Sequence, residues 1–228
     1  MALRLASQEN LSADQMEVVE LAALLHDVGD HKYSQDPEGD LQQIQAFLAG
    51  LQLRGDQREA VMYIIRNMGF KEELARGGAA AGGNNPCPLA LDVVQDADRL
   101  DAIGAVGIAR CLTFGGRFNR VLHDPSIPPR EQLTKEQYVD KEARQTTLNH
   151  FHEKLLKLGV GVGECMALST RRLRPDLVRP NDHGSRAHSS AELQGLMRTE
   201  AGRRVAQQRH EYMEGFLEQF LREWEGVA

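Results

Sequence analysis

Several things are scarce in this chain of 228 residues, and each scarcity excludes something. Its three cysteines, Cys87, Cys111 and Cys165, lie far apart with no C-x-x-C spacing, which excludes a disulfide framework and a structural zinc knuckle. A reducing, cytoplasmic compartment is the expectation, with an organelle left open. Positive charge is not in excess: the formal net charge is −6 and the pI about 5.8, so the whole chain has no electrostatic footprint for nucleic acid or an anionic membrane. Aromatic residues make up 5 %, too few for base-stacking platforms, and neither nucleic acid nor membrane is expected as a partner. No apolar run approaches membrane-spanning length, and the opening "MALRLASQENLSADQ" is too polar for a signal peptide. No segment alternates with period two, so the expected fold class is all-α.

What the chain does have is helical periodicity. Its length favours one main core, read as a single domain over 1–228. Residues 12–28 read as a helix, with Ser12 and Gln15 in capping-box spacing and Met16, Val19, Leu21, Leu24 and Leu25 as the apolar face. Asp36 and Pro37 start a second, with Leu41, Ile44, Phe47 and Leu48 before Gly50. Val61, Ile64, Ile65 and Met68 mark a third. Residues 75–88, "ARGGAAAGGNNPCP", have loop composition. A helix then runs from Leu89 through "LALDVVQDADRLDAIGAVGIARCL" and breaks at Gly115–Gly116, ahead of a loop containing "HDPSIPP". Thr134 with Gln137 opens a long helix to about Leu158. Residues 159–195, rich in Gly, Pro, Arg and Ser, read as an exposed, disordered insertion. The final helix carries Met213, Phe216, Leu217, Phe220, Leu221 and Trp224 at core-facing spacing.

Two places concentrate chemistry. In "LLHDVGD", residues 24–30, an apolar helix ends on a histidine beside an aspartate. Those residues could be an ordinary helix end, with His26 a neutral core imidazole and Asp27 and Asp30 solvated; they could equally be adjacent ligands of a divalent cation. In "VVQDADRLDAIGA" three aspartates, Asp96, Asp98 and Asp101, sit among apolar residues, where carboxylates are costly unless paired or bound to a cation. Asp98 and Asp101 are helix neighbours, whereas Asp96 lies about 200° around from Asp98, so the three cannot share one job.

"HDVGDHKY", "IIRNMGFKEEL", "DADRLDAIGAVGIARCLTFGG", "HDP" and "HFHEKLLKL" together resemble the HD-domain metal-dependent phosphohydrolases, and more closely the small bacterial and plant members that include nucleoside-triphosphate pyrophosphatases. The resemblance covers 1–158 and 196–226. It implies an HD-type helical bundle in which His26 and Asp27 match the ligand doublet and Asp98 the distant aspartate. Asp30, Asp96 and Asp101 become supporting residues, one of them a partner for Arg99. The family pattern opens with a further histidine on the preceding helix. No histidine precedes His26, and the chain is expected to begin inside that helix.

A divalent ion at His26, Asp27 and Asp98 would polarise a phosphoryl oxygen and acidify water. The mixed N and O donors suit several metals, and the resemblance favours Mn2+ or Mg2+. Asp27 and His31 are the catalytic candidates, His31 as general acid or substrate donor, with a plain helix-end role as its alternative. Lys32, Lys71 and Arg99 are candidates for phosphate contacts, against solvated lysines and an ion-paired arginine. His150 and His152 face different sides of their helix and make no zinc pair, so at least one should be exposed. His123–Asp124 reads as an Asx-type turn. The expected function is a metal-dependent phosphohydrolase of nucleoside or deoxynucleoside triphosphates that releases pyrophosphate. A phosphomonoesterase or phosphodiesterase on another small metabolite, and a non-catalytic HD fold, are the alternatives; a homodimer is left open.

Overall fold

The computed structural model describes residues 1–28, 36–69, 85–130, 145–159 and 197–227. Among them there are helices and no strand, in agreement with the missing period-two pattern. The chain divides into two compact units, residues 1–98 with 198–202 and residues 99–197 with 203–228. Most of the loop expected at 75–88 and nearly all of the insertion expected at 159–195 lie outside the described residues.

The first unit is built on α1 (Ala2–Gln8), α2 (Ala13–Leu25), α3 (Pro37–Ala49), α4 (Gly55–Asn67) and most of α5 (Pro88–Asp101). Helix α1 packs on α2, and α2 and α3 both pack on α4. The starts follow local chemistry. Ser12 Oγ accepts from Gln15 N–H at 3.4 Å while Gln15 Oε1 accepts from Ser12 N–H at 3.0 Å, closing the capping box. Asp36 accepts from Gly39 N–H at 3.1 Å, with Pro37 in the first turn where its missing N–H costs nothing. The face that α2 buries differs from expectation: Val18, Val19 and Ala22 are buried, whereas Leu24 is 71 % exposed. The second half of α2 is apolar nearly all round, so periodicity could not choose its inner side.

The second unit holds α6 (Gly104–Arg117), the π-helical turn Phe151–Leu155 running into α7 (Leu156–Gly159), and most of α8 (Glu200–Trp224). Three expectations are corrected here. The helix from Leu89 is interrupted at Ala102–Ile103, where Gly104 takes a left-handed φ of +76°. Gly115 and Gly116 do not break a helix but lie inside α6. Gly115 is there because a Cβ would stand 2.2 Å from Thr147 Oγ1. Finally, residues 145–148 are not helical. The N–H groups of Thr147 and Leu148 bind the carbonyls of Val121 and Leu122 at 2.9 and 3.1 Å, and Thr146 Oγ1 caps Asn149 N–H at 3.1 Å, so the helix starts after them. The part expected at 134–144 lies outside the described residues.

On the π-helical turn the carboxylate of Glu153, 3 % exposed, is clasped by Arg130: the backbone N–H and Nε reach Oε1 at 2.9 and 3.1 Å, and Nη2 reaches Oε2 at 2.9 Å. Neither His150 nor His152 is exposed, contrary to expectation. The stripe on α8 is core at Met213 and Leu217 but emerges at its end, where Trp224 is 50 % exposed under a ring contact from His123. His123–Asp124 does form the expected turn, with Asp124 Oδ1 accepting from Ser126 N–H at 2.9 Å.

Candidate metal centre

His26 sits at the C-terminal cap of α2, where the helix has run out of donors for its last carbonyls. Its Nδ1 lies 2.8 Å from the carbonyl of Ala23. A carbonyl only accepts, so Nδ1 carries the proton and, in the neutral ring, Nε2 carries the lone pair. Nε2 is buried and has no hydrogen-bond partner. It faces two carboxylates, with Asp27 Oδ1 at 3.3 Å and Asp98 Oδ1 at 3.8 Å. All three residues belong to the first unit.

The side chains of Asp27 and Asp98 are 64 % and 59 % exposed, against 22 % for His26, so the group is open to solvent on its carboxylate side. It is not closed into a cage: among the described residues no three His, Cys, Asp or Glu side chains converge on one point. An exposed aspartate on a helix surface closes such a gap by changing rotamer. A buried imidazole lone pair without a partner, next to two carboxylates, fits a divalent cation with positions left for water or substrate oxygens. Without an ion, the same geometry holds a proton. The His26 pKa is pushed up to about 9, chiefly by Asp98 and against the burial that lowers it. At 3.8 Å the Asp98 contact is too long for a hydrogen bond, so its pull is charge attraction.

The other predicted residues divide. Asp30, His31, Lys32 and Lys71 lie outside the described residues. Arg99 is 6 % exposed, which suits a paired guanidinium better than an open phosphate clamp. Asp101 is exposed, and its carbonyl accepts from Arg110 at 2.9 Å. Asp96 is fully buried and accepts from Arg198 N–H, Thr199 N–H and Thr199 Oγ1 at 2.8, 2.8 and 2.7 Å. Sequence reasoning missed two things: the Ala23 carbonyl that sets the His26 tautomer, and the partner of Asp96 about a hundred residues downstream. Thr199 before Glu200 is a readable helix-start signal, but nothing local joins it to Asp96.

The HD domain model matches residues 1–103, a span containing His26, Asp27 and Asp98. A HD-superfamily hydrolase from Bacillus thuringiensis is 31 % identical, with a TM-score of 0.60 over 99 % of this chain and 81 % of that one. The Bacillus subtilis protein YpgQ is 28 % identical over 210 residues, 92 % of this chain and 74 % of YpgQ. A crystal structure of YpgQ in complex with ADP has the same fold, with a TM-score of 0.60 and 24 % identity over 100 % of this chain and 85 % of that one. The helical fold, the matched span and the identity to a hydrolase of that superfamily together make this chain a member of the HD-domain superfamily of hydrolases.

Proposed function

We propose that the chain is a metal-dependent phosphohydrolase that cleaves nucleoside or deoxynucleoside triphosphates and releases pyrophosphate. The observation that carries this is the buried, partnerless Nε2 of His26 between the carboxylates of Asp27 and Asp98. Those three side chains would hold one divalent ion, Mn2+ or Mg2+, which when bound would polarise a phosphoryl oxygen and acidify water. The Ala23 carbonyl keeps the lone pair of His26 aimed at that position. Asp27 and Asp98 bring two negative charges to an open face, so the ion would retain room for substrate oxygens. That YpgQ has been solved with ADP supports a nucleotide as substrate.

In this reading Asp27 also takes a proton from the attacking water, and His31 protonates the leaving group. Lys32 and Lys71 offset phosphate charge, Arg99 is a further candidate for that work, and Asp30, Asp96 and Asp101 support the ligands. The test is product analysis after incubation with Mn2+ and dATP or ATP. Pyrophosphate and the monophosphate are expected, with turnover lost in Asp98→Ala. Inorganic phosphate as the product would instead mark a phosphomonoesterase, and turnover indifferent to Asp98→Ala would sink the assignment of the centre.

A further inference from the structure

We propose that Asp96 is a positioning residue: by clamping the start of α8 it fixes the rotation of α5 and so aims Asp98 at His26. The inference rests on the metal-centre reading above. Asp96 and Asp98 stand two residues apart on one helix, about 200° around the axis from each other. One carboxylate is fully buried and the other points outward beside His26. On a rigid helix, whatever holds the first decides the direction of the second.

The apolar contacts of α5, through Ala90, Leu91, Val93 and Val94, are all buried, but apolar packing has no direction and tolerates a small roll of the helix. Hydrogen bonds are directional. Asp96 accepts from Arg198 N–H, Thr199 N–H and Thr199 Oγ1, and both of its oxygens are used. The far side of the clamp is itself fixed. Thr199 Oγ1 caps Gly202 N–H at 2.9 Å, and Glu9, just past α1, accepts from Ala201 N–H at 2.7 Å. Gly202 lets the two sides meet, since a Cβ there would lie 2.2 Å from Asp96 Oδ2. A roll of about 20° would sweep a carboxylate roughly 5 Å from the axis through about 2 Å. Metal–ligand distances are held to about 0.2 Å, so such a roll adds a displacement about ten times that tolerance to the gap a change of Asp98 rotamer must close.

The experiment titrates Mn2+ into the full chain by calorimetry and records the visible spectrum of bound Co2+. The variants are Asp96→Asn, Thr199→Val, Thr199→Ser, Glu9→Gln and Asp98→Ala, each checked for helicity and thermal midpoint. Asp96→Asn keeps the size of the side chain but turns an acceptor into a donor facing N–H groups. It is expected to weaken Mn2+ binding about 10- to 100-fold and to shift the Co2+ spectrum toward that of Asp98→Ala. Thr199→Val should lose less in the same direction, and Thr199→Ser, which keeps the hydroxyl, should bind like the parent. Glu9→Gln changes the same end of α8 without touching α5, keeps an oxygen that accepts from Ala201 N–H, and should leave affinity unchanged. A folded Asp96→Asn that binds like the parent, or a Glu9→Gln that loses as much, overturns the inference while leaving the metal centre standing. If Asp96→Asn does not fold, unchanged binding in Thr199→Val overturns it instead. A parent chain that takes up no Mn2+ overturns the centre, and this inference with it.

Discussion

At the scale of the residue, His26 is a site where a cation and a proton compete. With no metal its imidazole is held protonated to about pH 9, chiefly by the Asp98 carboxylate, and an ion on Nε2 must displace that proton. Mn2+ binding at pH 7 is therefore expected to release about one proton per ion, and affinity to climb roughly tenfold per pH unit until about pH 9. Calorimetry in buffers of different ionisation enthalpy measures the release; binding that takes up or releases none would show that His26 is not a ligand. His26, Asp27 and Asp98 could be singled out in the sequence because a histidine–aspartate doublet and aspartates in apolar surroundings are chemically conspicuous. The task of Asp96 could not, since a buried carboxylate reads the same whether it faces a metal ligand or backbone N–H groups a hundred positions away.

At the scale of the element, the starts of α2 and α3 were legible and interior breaks were not. Ser12 with Gln15 and Asp36 with Pro37 act on their own neighbours, so sequence and structure agree there. Glycine carries no such local meaning. Gly104 supplies a left-handed residue at the start of α6, whereas Gly115 and Gly116 continue α6. These two neighbours give opposite predictions. Gly115→Ala drives a Cβ to 2.2 Å from Thr147 Oγ1 and should destabilise the chain by about 1–3 kcal/mol. Gly116→Ala meets nothing within 4 Å and should stabilise it by about 0.5–1 kcal/mol. Urea unfolding of both variants measures the difference, and equal effects of one sign would refute the packing role of Gly115.

At the scale of the whole molecule, stability should respond to acid through half-buried imidazoles. Burial, with Lys154 adding to it, pulls the His150 pKa down to about 4, and His152 is lowered as well, chiefly by burial. Between pH 4 and the ordinary value of 6.5 the unfolded chain binds the proton that folded His150 refuses. This contribution is complete above pH 6.5 and is lost as pH falls toward 4. The midpoint of urea unfolding should fall across that window, and fall less in His150→Asn; an identical pH dependence in the two proteins would remove His150 as a cause. Read alone, the sequence determined an all-α chain of the HD superfamily with a histidine–aspartate doublet and a distant aspartate, because periodicity, capping and motif chemistry are written in short stretches. Only the tertiary structure decided which face of α2 is buried, that the helix from Leu89 is broken at Ala102–Ile103, and that Asp96 grips Thr199 while Asp98 faces His26. Those outcomes depend on what distant segments place against each side chain, and no local pattern encodes that.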